Sequence, residues 1–198
     1  MGVPIDIAPA GQTEVDALAV PLAQPVGELP GELGKRLKQL AASGEFRGER
    51  AEALVLHSNG DLDAPRVVLV GLGQDANADA FRTAAAVAAQ ALGRVGGTLG
   101  WQLDENASLS VPDQARAVVE GTILGGYTPG RWKTQDPEKR PRAIERIVIV
   151  GPETPELRAA AERASVLAER TNRARDLANM PPNELNPHTL GEHAQALA

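Results

Sequence analysis

The sequence predicts an α/β fold: a mixed, mainly parallel sheet flanked by helices, with a long helix after the last strand. Three observations lead there. Short β-branched runs alternate along the chain with Ala- and Leu-rich segments of helical period, the order that layered α/β structures produce. Two of the runs, AEALVLH (51–57) and RVVLVGLG (66–73), are almost continuously apolar, as strands buried on both faces are. The composition, 42% hydrophobic and 23% charged, is that of an ordinary globular chain. With aromatics at 3%, the core has to be built from Ala, Val, Leu and Ile. A length of 198 residues suits one large domain, or one domain and a piece of another.

In chain order, Val3–Ile7 and Val15–Val20 read as two short strands. Residues 31–42 place Leu33, Leu37 and Leu40 on one helical face. The turn chemistry of SNGDLDAP (58–65) joins the two apolar runs as an antiparallel pair. Asn77–Arg94 is a helix with Phe81, Ala84, Ala88 and Leu92 in register, and its alanines allow close packing. GGTLGWQL (96–103) is a strand, and Pro112–Gly125 a helix with Ala115, Val119 and Ile123 inward. Tyr127–Arg142 is a loop, and IERIVIVG (144–151) a strand. Thr154 is then an N-cap with Pro155 at the first helical position. The helix it opens carries Leu157, Ala160, Ala164, Leu167, Thr171, Ala174 and Leu177 as its expected apolar stripe. At about 25 residues it would run roughly 37 Å, long for a helix that only covers a sheet.

Charge and composition exclude several functions. A formal net charge of −6 does not attract a phosphate backbone globally. The absence of cysteine removes disulfides, thiolate chemistry and cysteine–zinc sites together. MGVPIDIAPAG has no charged, apolar leader pattern, and no segment approaches the roughly 18–20 apolar residues of a membrane span. The expectation is a soluble, cytoplasmic protein without membrane contact.

Four site chemistries can be weighed on the residues. Gly71-Leu72-Gly73-Gln74-Asp75-Ala76 follows a strand and imitates a dinucleotide fingerprint, but the helix starts late, near Asn77, and no acidic residue ends a strand about 20 residues on. A tight strand-to-helix turn is the expectation. From Arg131 to Arg146 six basic residues (Arg131, Lys133, Lys139, Arg140, Arg142 and Arg146) face three acidic ones, with Tyr127 and Trp132 beside them. That mix can track and stack on a nucleic acid, and a solvated loop or a subunit contact is its commoner meaning. The histidines His57, His188 and His193 lack metal-ligand spacing, and Asp61, Asp63, Asp104 and Glu105 sit in turns that favour Asp for local backbone bonds. No serine stands in a nucleophile elbow. The residues show a fold and no catalytic or metal site.

The end of the chain carries more information. In RTNRARDLANMPPNELNPHTLGEHAQALA (170–198) a helix runs into Asn179-Met180-Pro181-Pro182-Asn183 and a new helix starts after Asn186-Pro187. Two prolines cannot continue a helix, and each pushes its predecessor to extended geometry. A rigid helix, a rigid kink and a fresh helix make a domain joint at Asn179, Pro181, Pro182 and Asn183. This segment resembles the leucyl aminopeptidase (cytosol aminopeptidase) family, in the pattern ARDLANMPPNELNPHTLGEHAQALA. VVLVGLGQ…FRTAAAVAA and EGTILGGYTPGRWKT are similar to the family's strand–glycine–helix unit and its glycine-tyrosine turn, although Pro129 stands where an aromatic residue is commoner. The resemblance implies a macro-like N-terminal domain over residues 1–152, a linker helix over 153–180 and the first turns of a catalytic domain over 181–198. It implies a parent that removes N-terminal residues from peptides with two divalent ions, zinc or manganese, and assembles as a hexamer through its own catalytic domain and neighbouring subunits. The family's V-G-K-G…D-S-G-G and N-T-D-A-E-G-R motifs do not occur here, so no catalytic or metal-binding residue is carried over and the chain alone is expected to be inactive. A macro-like module for ADP-ribose or another nucleotide, and a DNA-binding domain acting through Arg131–Arg146, are the rival readings.

Overall fold

The computed structural model describes residues 2–9, 11, 14–58, 60, 63–129 and 141–196. The elements are β1 (Ile5–Ala8), β2 (Ala17–Ala23), α1 (Gly31–Ser43), β3 (Ala53–His57), β4 (Arg66–Gly73), α2 (Ala78–Ala91), β5 (Gly97–Gln102), α3 (Val111–Gly125), β6 (Ile144–Val150), α4 (Pro155–Asn179) and α5 (Pro187–Gln195). Six strands form one sheet in the order β1-β6-β5-β2-β4-β3. All neighbours are parallel except β3 and β4, which pair antiparallel from Ala53 opposite Val70 to His57 opposite Arg66. The expected mixed, mainly parallel α/β sheet is what the chain forms.

Strand alternation sends neighbouring residues to opposite faces. Ala17, Ala19, Val68, Val70, Leu99, Trp101, Ile147 and Ile149 join the buried faces of α2, α3 and α4 in the main core. Val20, Leu22, Val67 and Leu69 face the other way, onto Leu37 of α1 and Phe46. β4 is therefore buried on both faces, as its sequence demands. β3 is not, contrary to expectation. It is an edge strand with one hydrogen-bonded neighbour, and Val55 is 38% exposed. An apolar run cannot by itself distinguish an edge from an interior position.

Ala51 and Glu52 also fall outside β3. They belong to a tight loop in which one Glu52 carboxylate oxygen accepts from the Arg47 and Glu49 amides, at 2.9 and 3.0 Å. Closing that loop puts Ala51 at φ 65°, a left-handed conformation. That costs a non-glycine residue about 1–2 kcal/mol. Ala51→Gly relieves it but returns about 0.5–1 kcal/mol of backbone entropy to the unfolded chain. The expected net is a small stabilisation, about 0.5 kcal/mol, read as a higher urea midpoint. A lower midpoint would show that the loop does not hold this conformation.

α4 has its expected cap, with the Thr154 hydroxyl accepting from the Leu157 amide and Pro155 at the start. Its stripe is rotated from the expected one. The buried residues are Leu157, Ala161, Ala164 and Ala168, while Val166 and Leu167 stand 56% and 50% exposed. The reason is proximity: α4 packs on α3 through alanines, and a leucine at those positions would hold the axes further apart. α5 buries no residue. No helix among the described residues is long and apolar enough to cross a membrane.

Candidate functional site

The carboxyl end of the sheet, where open α/β folds bind ligands, is closed around the Gly71–Ala76 turn. A Cβ on Gly71 would lie 1.9 Å from the Glu49 carbonyl oxygen, and one on Gly73 would lie 3.2 Å from Arg50 Cβ. These glycines admit the 47–52 loop, so the close approach they permit is already used by the protein's own backbone. The α2 N-terminus is occupied too: Asn77 Oδ1 accepts from the Asp79 and Ala80 amides, at 3.1 and 3.0 Å. Asp79 lies in that first turn and pairs with Arg50 and Arg82. A carboxylate there opposes an incoming phosphate.

Polar chemistry gathers instead where α3 ends against α4. The last four carbonyls of a helix lack intrahelical partners. At the end of α3 three of these are met by side chains. Thr122 O accepts the last regular helical bond, from the Gly126 amide at 3.0 Å; beyond it Ile123 O accepts from Asn172 Nδ2 at 2.9 Å, Leu124 O from Arg175 Nη1 at 3.1 Å, and Gly125 O from Gln90 Nε2 at 3.4 Å. Two of these three caps thus come from α4. Arg175 also brings its charge to the negative end of the α3 dipole, and lies 5.5 Å from the centre of the Tyr127 ring. The Tyr127 hydroxyl donates to Asp176 Oδ1 at 3.0 Å and accepts from Asn179 Nδ2 at 3.1 Å. Beside this cluster runs a cleft of about 760 Å³, lined by Thr122, Tyr127, Glu169, Arg170, Arg173 and Asp176 among others. The Thr122 hydroxyl is buried there with no partner among the described residues.

The sequence-derived candidates are distributed as follows. Asn179 is the last residue of α4 and bonds Tyr127. Met180 is extended, and the Glu184 and Leu185 amides both donate to Pro181 O, at 2.9 and 3.0 Å. Pro182 and Asn183 are exposed in that turn. Asn186 caps α5 in a reciprocal box with Thr189. Arg142 is exposed before β6, with its amide donating to Gly93 O, and Arg146 pairs with Asp6 at 2.6 Å. Arg131, Trp132, Lys133, Lys139 and Arg140, and also Asp61, lie outside the described residues. His57 ends the edge strand, and His188 pairs with Glu192 on exposed α5. Among the described residues no three His, Asp or Glu side chains converge to hold a cation, so a divalent metal finds no fitting donor set in them.

Sequence reasoning misses Asn172, Arg175 and Asp176. Their signal is present: 172, 175, 176 and 179 are polar residues at helical spacing, continuing the face that carries Ala161, Ala164 and Ala168.

These features define an α/β sheet domain whose polar chemistry is concentrated where a long helix leaves it. Residues 14–136 match the family model described as the N-terminal domain of the cytosol aminopeptidase family. The chain belongs to that family and corresponds to its N-terminal domain. A "Probable cytosol aminopeptidase" of Solibacter usitatus is 34% identical over 200 residues, covering 100% of this chain and 40% of the relative. One from Thermosynechococcus vestitus is 36% identical over 180 residues, covering 89% of this chain and 36% of the relative. The chain thus spans well under half the length of these relatives. Among solved structures, the bottromycin maturation enzyme BotP superimposes with a TM-score of 0.72 at 28% identity, over 93% of this chain and 37% of that one. BotP is also known in complex with Mn. A mutant of tomato leucine aminopeptidase reaches a TM-score of 0.80 over 99% of this chain and 42% of its own; at 20% identity it speaks to the fold alone.

Proposed function

We propose that this chain serves as the non-catalytic N-terminal domain of a two-metal leucyl aminopeptidase. The observation that carries the reading is the family match across residues 14–136, in a chain spanning 36–40% of the two aminopeptidase relatives above. In this reading residues 1–152 are the N-terminal domain, 153–180 the linker helix and 181–198 the opening of the catalytic domain. The parent is a cytoplasmic hydrolase that binds the free α-amine of a peptide and activates water with two zinc or manganese ions held in the catalytic domain. The N-terminal domain supports assembly, as a hexamer, and controls access to the enclosed active sites. Asn179, Pro181, Pro182 and Asn183 form the joint, and Arg142 with its basic neighbours makes a subunit contact.

The test uses the 198-residue chain, its intact mass verified at 20.7 kDa. Incubated with leucine amide and added Mn²⁺ or Zn²⁺, it is expected to show no metal-dependent release of leucine. Metal-dependent turnover by the verified chain would overturn the reading, because it would place a complete active site inside these residues.

A further inference from the structure

We propose that Tyr127, Asn172, Arg175, Asp176 and Asn179 act as positioning residues: a clamp that sets the direction in which α4 leaves the sheet, ahead of the Pro181-Pro182 joint. The contact face of α4 changes character along its length. Leu157, Ala161, Ala164 and Ala168 bury apolar surface, and over the next roughly three turns the same face presents Asn172, Arg175, Asp176 and Asn179. Small apolar side chains allow close approach but leave two helices free to slide and roll, since nothing in such a contact is directional. Hydrogen bonds are directional. Asn172 and Arg175 fix register against two successive carbonyls at the end of α3, and Asn172 Oδ1 accepts from Arg175 Nη1 at 3.1 Å, locking the pair to each other. Tyr127, one residue beyond the α3 cap, reaches the last turn of α4 through Asp176 and Asn179.

Beyond Met180 the bonding turns inward. Glu184 and Leu185 bond Pro181, Thr189 bonds Glu184 and Asn186, and α5 buries no side chain. None of these bonds returns to the sheet. The prolines fix the angle between α4 and the segment after it; the clamp fixes α4 against the sheet, so any error there is carried through the joint. The consequence for a catalytic domain attached beyond α5 rests on the function proposed above. The direction of α4 does not, and its test is independent of hydrolysis.

The chain has no cysteine, so Ala91→Cys at the end of α2 and Ala178→Cys near the end of α4, both exposed positions, take spin labels without background. Pulsed electron resonance on the doubly labelled 198-residue chain is expected to give a narrow distance distribution. Arg175→Ala and Tyr127→Phe should each widen it at least about twofold, with thermal unfolding still cooperative, and Pro181→Ala with Pro182→Ala should leave it unchanged. Asn179→Ala supplies the same reading through a side chain that bonds Tyr127 and its own helix, should Arg175→Ala fail to fold. A distribution that is broad in the parent, equally narrow in the folded clamp variants, or widened by the proline substitutions would overturn the proposal.

Discussion

Valine in place of Gly121 is expected to remove much of the domain's stability. Gly121 lies in the middle of α3, where glycine costs about 1 kcal/mol relative to alanine in helix propensity. It is tolerated because α2 comes so close. A Cβ at 121 would sit 2.1 Å from the Arg82 carbonyl oxygen and 2.8 Å from Ala85 Cβ, and one at Gly125, a turn further on, 2.5 Å from Ala86 Cα. The first obstacle is backbone, so no rotamer change makes room, and valine adds two methyls to the clash. Overpacking of a core costs about 1–3 kcal/mol where side chains can shift. Here two helix axes must move apart, so a loss of about 3 kcal/mol or more is expected, a large share of the roughly 5–15 kcal/mol typical of a domain. The measurement is the urea midpoint. Gly27→Ala is the control, since a Cβ there would meet nothing within 4 Å and the backbone is not left-handed at that position; it should change the midpoint little. A Gly121→Val protein with an unshifted midpoint would mean that α2 and α3 are not packed this closely.

The same close approach explains which parts of the fold are legible in the sequence. Helical period identifies the inward residues of α2 and α3, because bulky anchors mark the inward faces: Phe81 in α2 with Leu92 at its cap, and Val119 and Ile123 in α3. α4 inverts that relation. Its core-facing side is mostly alanine and its larger Val166 and Leu167 face outward, so a hydrophobicity argument selects the wrong register. Where helices touch through small residues, size as well as polarity decides which face is buried. The edge position of β3 is hidden for a different reason: which strand lies outermost depends on the order of the whole sheet, and no local pattern encodes it.

The site is less legible than the fold. In the sequence Tyr127 is an aromatic beside a basic loop, whereas in the structure its hydroxyl links Asp176 and Asn179. Asn172 and Arg175 look like ordinary surface residues of a charged helix. Their role depends on where α3 stops. Gly125 and Gly126 mark that stop, but Gly126 caps in a right-handed conformation and satisfies one carbonyl only. The remaining acceptors have to be met by something, and sequence alone does not say by which distant side chain. By contrast, the Asn186 capping box of α5 is readable because every participant lies within a few residues.

The second large effect is expected at Gln114, a polar side chain with 0% exposure inside α3. Its amide nitrogen donates to the carbonyls of Asp104 and Leu109, at 2.7 and 2.8 Å, and its oxygen accepts from the Asp104 amide at 3.0 Å. One side chain thus replaces the sheet and helix partners that the loop between β5 and α3 lacks. Gln114→Met keeps the volume and strands all three backbone groups. A buried group left unsatisfied costs about 1–3 kcal/mol, and Asp104 is exposed enough for water to recover part of that, so about 2 kcal/mol is expected in total. Gln114→Glu separates packing from charge. It keeps the acceptor for Asp104, loses the donor pair when ionised, and faces two carbonyl oxygens in a dry site. Burial raises the pKa of the introduced carboxyl above its unfolded value of about 4.3. The unfolded chain then gives up its proton first, so stability falls as pH rises from about 4.3 through the folded pKa and is recovered on acidification. The methionine variant should show no such added pH dependence relative to the parent. If the two variants lose stability equally at every pH, the loop is not held by the hydrogen bonds of Gln114 and its burial is a matter of packing alone.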